Sequence, residues 1–280
     1  MAPPAEKPPW ALRPLVPLVE RLGMGVFPVG RAAAQAPRGD ARRRHALGLL
    51  ERRGWTVRRP YPPDFDADLI DIVERSSPFT VTSRERLAAM VAAVEHVVQA
   101  RLPGAIVECG VWKGGSMIAA AHALLRLGVR DRDLYLFDTF DGMVEPGAVD
   151  VEAVSDRAAA DALEEINAWC RVTLEEVRAN VLATGYPADR VHLIAGRVED
   201  TVPAHAPDEI ALLRLDTDWY ESTAHELRHL YPRLCPGGIL LVDDYGAWLG
   251  ARKAVDEYFR EDPPFLHRVD DTARLVIKRP

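Results

Sequence analysis

The sequence predicts an α/β fold in which helices cover a parallel sheet. Three observations support this prediction. From Ala105 onward, apolar runs of strand length alternate with helical segments, as in a sheet built by crossover connections. The runs are continuously apolar, as expected where both sheet faces are covered. Near the end, two short runs flank the turn-prone Asp270-Asp271-Thr272 and predict an antiparallel hairpin at the sheet edge.

The predicted elements form an N-terminal extension over residues 1–80 and a larger domain over 81–280. The extension is irregular and rich in proline, with one short helix around 45–53. A helix over about 83–101 follows, because apolar residues recur there at helical spacing, namely Leu87, Met90, Val91, Val94 and Val98. The five predicted parallel strands are residues 105–109, 134–138, 191–195, 210–216 and 238–244.

Composition and charge exclude several classes of protein. The 280 residues are 48% hydrophobic and 28% charged, which is ordinary for a globular protein. The net charge of -7 argues against a nucleic-acid binder, which needs a basic face. No apolar run reaches the roughly 18 residues of a membrane span. From the charge and the lack of such a run, we expect neither nucleic acid nor membrane as a partner. The three cysteines form no CxxC pair, so we expect no disulfide framework and a cytoplasmic location.

Four of the five parallel strands end in polar residues. Ligands of open α/β sheets bind at the carboxyl ends of the strands, so we expect these residues to share one crevice. They are the segment 108–116, Asp138, the segment 216–218, and the pair Asp243 and Asp244.

The segment after the first strand has glycines that allow a sharp turn and close approach to a ligand. It runs from Glu108 through Gly110 to Gly115 and Ser116, and it is not the GxGxxG of dinucleotide sites. An acid before the first glycine suits a ligand that carries positive charge better than it suits a pyrophosphate. S-adenosylmethionine, which has a sulfonium and no phosphate, is such a ligand.

The second strand ends at Asp138, about 30 residues past the first glycine. An acid there accepts hydrogen bonds from ribose hydroxyls in nucleotide-binding folds. Phe140 would then stack on the adenine. The alternative is that Asp138 and Asp141 only cap a turn or a helix.

The segments after the fourth and fifth strands predict a cation site. Asp216, Asp218, Asp243 and Asp244 would repel one another in one crevice unless a dication were bound between them. Oxygen ligands without imidazole or thiolate favour Mg²⁺ over zinc. The alternatives are that Asp243 and Asp244 cap the next helix, or that Asp216 pairs with Arg214.

Three further aspartates, at 150, 156 and 161, lie in a polar stretch of the chain. We expect all three to be solvated.

These motifs resemble the macrocin O-methyltransferases, metal-dependent enzymes that methylate sugars in macrolide and aminocoumarin biosynthesis. The resemblance covers about residues 70–278 and lies in segments 106–116, 136–143, 196–201, 213–223, 236–246 and 250–256. It implies a class I methyltransferase fold, a Rossmann-like sheet of seven strands with the last one antiparallel. It also implies a helical N-terminal extension that helps to shape the acceptor pocket and a homo-oligomer.

The resemblance also implies roles for individual residues. Asp218 would be the general base, and residues 143–172 would form a mobile lid over the substrate. Apart from the resemblance, His225 is a reserve candidate for the base, although a histidine on a helix surface is more often a bystander. The implied ligands of Mg²⁺ are Asp216, Asp243 and Asp244. The implied contacts of S-adenosylmethionine are Glu108, Gly110, Ser116 and Asp138, with Asp200 near the adenine.

The expected reaction is methyl transfer to a sugar hydroxyl of a small glycosylated molecule. A catechol-type phenol remains an alternative acceptor, since it too offers two vicinal hydroxyls to a cation. A nicotinamide-dependent oxidoreductase would require GxGxxG and would have no use for the acidic residues. A scaffold without activity would not require the full set of polar residues.

Overall fold

A computed structural model describes residues 25–28, 55–58 and 61–280 of the chain, which divides into two units, Met1–Val81 and Thr82–Pro280. In the first unit, strand β1 (Gly25–Pro28) pairs antiparallel with β2 (Trp55–Arg58). Helix α1 (Ala67–Ser76) follows them. The expectation of a largely irregular extension was therefore wrong for these elements. The helix predicted around 45–53 lies outside the described residues.

Helix α1 begins where Asp66 caps it, since Asp66 Oδ1 accepts a hydrogen bond from Leu69 N at 2.7 Å. Its buried positions Ile72, Val73 and Ser76 recur at helical spacing. The sequence analysis did not predict this short helix, half of whose ten residues are polar.

The second unit alternates strands and helices. In chain order its helices are α2 (Arg84–Gln99), α3 (Gly115–Arg126), α4 (Leu163–Cys170), α5 (Leu174–Leu182), α6 (Val198–Thr201), α7 (Tyr220–Leu230) and α8 (Leu249–Tyr258). Its strands are β3 (Ala105–Cys109), β4 (Leu134–Asp138), β5 (Val191–Ala195), β6 (Ile210–Leu215), β7 (Leu234–Val242), β8 (His267–Arg268) and β9 (Arg274–Ile277).

The seven strands of this unit form one sheet in the order β5-β4-β3-β6-β7-β9-β8. Strands β3 to β7 are parallel, β9 is antiparallel to β7, and β8 pairs antiparallel with β9 at the edge. The predicted parallel sheet, its edge hairpin and its antiparallel last strand are confirmed. Strand β7 starts four residues earlier than expected, and β6 and β7 both end before their acidic residues.

Helix α2 begins after Ser83, whose Oγ accepts a hydrogen bond from Arg86 N. Four of the five apolar positions predicted for its buried face are buried, but Val97 is buried where Val98 was expected. Helical periodicity places both residues near the buried face. Packing against neighbouring elements, which the sequence does not show, selects between them.

The direction of strand addition reverses between β3 and β6. Right-handed crossovers that run in opposite directions place α3 and α7 on opposite faces of the sheet. A crevice opens at such a reversal, beyond the carboxyl ends of the strands, and it is where ligands of this kind of sheet bind. No helix in the described parts of the chain is both long enough and apolar enough to cross a membrane.

Candidate active site

The pairing of the three central strands brings their carboxyl ends together. Cys109 lies opposite Leu215 in the β3–β6 pair, and Leu215 lies opposite Val242 in the β6–β7 pair. The pattern continues past the strands, since Asp216 N donates to Cys109 O and Asp243 N donates to Leu215 O, both at 2.9 Å. The acidic residues that follow β6 and β7 therefore lie side by side.

Three of these acids form a cluster. Carboxylate oxygens of Asp216, Asp218 and Asp244 all lie within 4.8 Å of one another. Asp218 and Asp244 are joined by a side-chain hydrogen bond. Asp218 has a φ of 66°, a left-handed conformation that non-glycine residues rarely adopt and that often marks a functional turn.

Burial and mutual repulsion make this cluster reluctant to ionise. Burial, together with the neighbouring carboxylates, raises the pKa values of Asp216 and Asp244 well above their ordinary range. Burial likewise raises the pKa of Asp218 to about 7, and the charges of Asp216 and Asp243 add to this effect. A site of this kind gains free energy from any cation that enters it.

Asp243, the fourth acid, is held by two arginines instead of facing the cluster. Its Oδ1 accepts a hydrogen bond from Arg214 Nη2 at 2.5 Å, and its Oδ2 accepts one from Arg86 Nη1. Arg86 also pairs with Asp270. The geometry thus groups Asp218 with Asp216 and Asp244, whereas the resemblance implied Asp243 as the third metal ligand; that assignment stays a prediction.

Arg214 connects the acidic cluster to the first strand. Its guanidinium is 4% exposed and donates to Glu108 Oε1 at 2.5 Å, to Asp216 Oδ2 at 2.7 Å and to Asp243. The alternative in which Asp216 pairs with Arg214 is thus realised. The guanidinium groups of Arg86 and Arg214 pair with four carboxylates, those of Glu108, Asp216, Asp243 and Asp270. Asp218 and Asp244 lie beside Asp216, so acidic groups outnumber guanidinium groups in the described part of this network.

The segment after β3 forms the predicted tight turn. Gly110 has a φ of 80°, and Gly114, with a φ of 90°, is the N-cap of α3. Ser116 is buried in the first turn of that helix. Glu108 is also buried, and burial raises its pKa to about 7. Its Oε2 has no hydrogen-bond partner among the residues that the structure describes.

Asp138 holds this turn in place. Its Oδ2 accepts hydrogen bonds from Val111 N at 2.6 Å and Trp112 N at 3.0 Å, and its Oδ1 accepts one from Phe140 N at 2.8 Å. The alternative role of Asp138 in capping turns is therefore realised, and its contact with a ribose stays a prediction. Phe140 is buried, with a left-handed φ of 52°.

An open cleft of about 420 Å³ lies at these strand ends. Its lining residues are Gly110, Phe137, Asp138, Thr139, Gly142, Met143, Val144, Gly196, Arg197, Val198, Glu199, Asp216, Thr217 and Ser222. Of the predicted site residues, the set includes Gly110, Asp138 and Asp216, but not Glu108, Ser116, Phe140, Asp200, Asp218, Asp243 or Asp244. Asp200 is exposed in α6.

Sequence reasoning gave no role to several polar residues of the cleft, among them Glu199 and Ser222. They are hydrogen-bonded to each other, Ser222 Oγ donating to Glu199 Oε1 at 2.8 Å. The sequence holds a signal for Glu199, because β5 is the one parallel strand whose end carries no predicted site residue apart from Asp200, which the resemblance alone implied. The residues just after β5 form α6 and reach the same crevice as the other strand ends.

Two other predictions have outcomes in this region. Asp156 and Asp161 are exposed as expected, but the expectation was wrong for Asp150, which is 1% exposed. Its carboxylate accepts hydrogen bonds from two backbone amides, which replace its hydration. His225 is not part of the cleft lining, and its Nε2 lies 2.9 Å from the carbonyl of Val202.

The sheet order, the antiparallel last strand and the acidic cleft at the strand reversal define a class I S-adenosylmethionine-dependent methyltransferase. The family model described as Macrocin-O-methyltransferase (TylF) matches residues 67–274. The chain belongs to the macrocin-O-methyltransferase family.

Individual relatives agree with this membership. The chain is 40% identical over 196 residues, 70% of its length and 73% of the relative's, to the 8-demethyl-8-(2,3-dimethoxy-alpha-L-rhamnosyl)-tetracenomycin-C 4'-O-methyltransferase of Streptomyces olivaceus. It is 37% identical over 182 residues, 64% of its length and 67% of the relative's, to the demethyldecarbamoylnovobiocin O-methyltransferase of Streptomyces niveus. Among solved structures, the O-methyltransferase NovP superposes with a TM-score of 0.64 at 31% identity, over 72% of this chain and 83% of that one. The protein is thus an O-methyltransferase, which excludes the oxidoreductase and scaffold alternatives.

Proposed function

We propose that this enzyme transfers the methyl group of S-adenosylmethionine to a sugar hydroxyl of a glycosylated natural product, with Mg²⁺ bound at the acidic cluster. The observation that carries the proposal is the cluster of Asp216, Asp218 and Asp244. It lies beside the tight turn after β3 that contains Gly110 and Gly114, here called the glycine turn, and Gly110 of this turn lines the cleft. The acceptors in the names of the two relatives, a rhamnosyl tetracenomycin and a novobiocin precursor, support the acceptor class.

The residues of the cluster fit a hard dication. They offer carboxylate oxygens only, which is the donor set that Mg²⁺ prefers. Acidic groups outnumber guanidinium groups in this network, and a dication offsets such an excess. When bound, Mg²⁺ would lower the pKa of a chelated sugar hydroxyl, which is otherwise far above neutral, like that of water.

The residues of the glycine turn fit the amino-acid end of the cofactor. Glu108 Oε2 is a buried acceptor without a partner in the described part of the chain, and such an atom is satisfied by a cationic or N–H donor of a ligand. Gly110 and Asp138 line the cleft, where they would contact the cofactor's nucleoside side. Glu199 and Ser222 add a polar pair to the same wall, which the resemblance alone did not suggest.

Asp218 would accept the proton of the sugar hydroxyl as the oxygen attacks the methyl group. Its left-handed turn directs the residue toward Asp244 at the edge of the cluster. In the cation-free protein burial raises the pKa of Asp218 to about 7, so it binds a proton more readily near neutral pH than an ordinary aspartate does. Positioning the two reacting atoms would supply much of the remaining rate.

The direct test is a methylation assay with radiolabelled S-adenosylmethionine and Mg²⁺. The acceptors are demethyldecarbamoylnovobiocin, 8-demethyl-8-(2,3-dimethoxy-alpha-L-rhamnosyl)-tetracenomycin C, and a simple catechol as the alternative class. We expect label on at least one glycosylated acceptor and none on the catechol. Label on the catechol alone would replace the sugar acceptor by a phenol, and transfer that persists after complete chelation would remove Mg²⁺ from the proposal.

A further inference from the structure

We propose that Asp150 is a positioning residue that fastens the segment 143–172 to the turn carrying Asp218. The inference rests on the proposed role of Asp218 in methyl transfer. Asp150 is only 1% exposed, although it lies in a polar stretch of the sequence.

Asp150 caps helix α7, which follows the turn that carries Asp218. Its Oδ1 accepts a hydrogen bond from Tyr220 N, the first residue of α7, at 2.8 Å. The N-cap residue of this helix, Trp219, provides no side-chain cap of its own. Asp150 therefore supplies, from a distant part of the sequence, the acceptor and the negative charge that a helix N-terminus favours.

The other oxygen of Asp150 organises its own segment. Oδ2 accepts a hydrogen bond from Gly147 N at 2.7 Å, and so the carboxylate joins the two parts of the structure. Both oxygens are used, which offsets the cost of burying the charge.

Gly250 of α8 leaves the space that Asp150 occupies. A Cβ at position 250 would lie 1.8 Å from Asp150 Oδ1 and 3.1 Å from Tyr220 N. Glycine disfavours a helix by about 1 kcal/mol relative to alanine, so its presence within α8 calls for a packing reason. The space for Asp150 is that reason.

Two further hydrogen bonds hold the segment 143–172 to the same part of the structure. Trp219 Nε1 donates to the carbonyl of Val144, which lines the cleft, at 3.0 Å. Ala153 N donates to Ala247 O at 2.8 Å, close after the acids that follow β7. The segment therefore touches the residues next to Asp218 on one side and the loop after Asp244 on the other.

Asp218, Trp219 and Tyr220 are consecutive, and the last two are held by the segment. Asp218 itself sits in a left-handed conformation, which persists only when its surroundings hold it there. If the hydrogen bond between Tyr220 N and Asp150 is lost, the turn loses a constraint two residues from the proposed base. Displacements of about 1 Å in such a group cost about a hundredfold in rate.

Two substitutions test the fastening from opposite sides of the contact. Asp150→Ala removes the acceptor, and Gly250→Ala fills its space with a methyl group. Asp161→Ala is the matched control, since Asp161 is an exposed aspartate of the same segment. Asp150→Asn keeps an oxygen for Tyr220 N but loses the acceptor for Gly147 N, so it should give an intermediate result.

The first readout is limited proteolysis of the ligand-free full-length protein with trypsin, whose sites within the segment include the exposed Arg157 and Arg171. We expect both alanine variants at the contact to be cleaved there at least fivefold faster than wild type and Asp161→Ala. Circular dichroism and thermal unfolding check that each variant folds. If Asp150→Ala does not fold, Asp150→Asn and Gly250→Ala give the comparison.

The second readout separates positioning from general destabilisation. With an acceptor that the wild-type enzyme methylates, we expect kcat to fall at least tenfold in both variants, while the Kd of S-adenosylmethionine from calorimetry changes less than threefold. Unchanged kcat in a variant whose segment is cleaved faster would overturn the positioning role, and unchanged cleavage would overturn the fastening. A wild-type enzyme that methylates no acceptor would instead contradict the proposed function, and the proteolysis would still decide the fastening.

Discussion

The backbone of Gly110 lies directly against the carbonyl oxygen of Asp216. A Cβ at position 110 would lie 2.0 Å from that oxygen, far inside van der Waals contact. The two residues follow neighbouring strands, β3 and β6, at the reversal of the sheet order. The glycine turn of the cofactor side and the acidic cluster therefore share one backbone contact, and a change in either displaces the other.

Replacing Gly110 by alanine should disable both sides of the site. The left-handed φ of 80° costs a non-glycine residue about 1–2 kcal/mol, and the clash with Asp216 O adds to this. We expect a lower melting temperature and loss of S-adenosylmethionine binding by calorimetry.

Gly128→Ala is the matched control for that variant. Gly128 has a similar φ of 74°, but no atom of the other described residues lies within 4 Å of the position of its Cβ. Gly128→Ala should be destabilised only by the conformational cost of the left-handed φ, and it should keep its affinity for the cofactor. Equal effects of the two substitutions would mean that the contact with Asp216 has no importance of its own.

Asp218→Asn should separate binding from chemistry. The amide keeps the size of the side chain and one oxygen near Asp244, but it cannot accept a proton from a hydroxyl. We expect kcat to fall by two to four powers of ten, about the contribution of a general base, with the Kd of S-adenosylmethionine unchanged. Calorimetry and single-turnover rates measure the two quantities.

The geometry gives Asp218 a second candidate role, because it clusters with Asp216 and Asp244. A variant in which Mg²⁺ affinity falls as much as kcat would assign Asp218 to the cation. Near-normal turnover would remove it from the mechanism altogether.

The fold was predictable because strands that are covered on both faces leave continuous apolar runs, such as 105–109 and 134–138. Much of the site was predictable for a related reason, since polar residues directly after such strands must meet at one edge of the sheet. The environment of Asp150 was not predictable. Its burial depends on Tyr220 N and Gly250, which lie 70 and 100 residues away in sequence.

The orientation of Asp243 was equally hidden. Adjacent acids after a strand look alike in the sequence, and only the positions of Arg86 and Arg214 direct Asp243 away from the cluster. Arg86 lies in a helix 157 residues earlier. The sequence shows which charges exist, whereas their pairing depends on tertiary contacts.

Glu108 should make the stability of the cation-free protein depend on pH. Burial raises its folded-state pKa from an ordinary value of 4.5 to about 7. Between these values the folded state binds more protons than the unfolded state, so the free energy of unfolding decreases as pH rises from about 4.5 to about 7. Urea unfolding in EDTA should show a shallower decrease for Glu108→Gln than for wild type.

Glu164→Gln, at an exposed glutamate of α4, controls for the loss of one charge in that experiment. It should leave the wild-type pH dependence intact. An identical slope for Glu108→Gln and wild type would mean that Glu108 is not the group that titrates in this range.

Removal of the dication should be visible as a loss of stability without any acceptor present. A ligand at about 100 times its Kd stabilises a protein by about 2.7 kcal/mol, so Mg²⁺ should raise the melting temperature of wild type and EDTA should reverse the rise. Asp244→Asn should abolish this shift. It should also make the cation-free protein slightly more stable than wild type, because the cluster loses one of its repelling carboxylates.

Asp141→Asn, at an exposed carboxylate after β4, should keep the full Mg²⁺ shift. The sign of the effect in cation-free protein is the sharper criterion. Replacing a structural aspartate destabilises the protein, because hydrogen bonds that stabilise the fold are lost. Replacing a metal ligand that is held among like charges does not destabilise the cation-free protein. A lower melting temperature of Asp244→Asn than of wild type in EDTA, together with an intact Mg²⁺ shift, would show that Asp244 is structural and that the cation binds elsewhere.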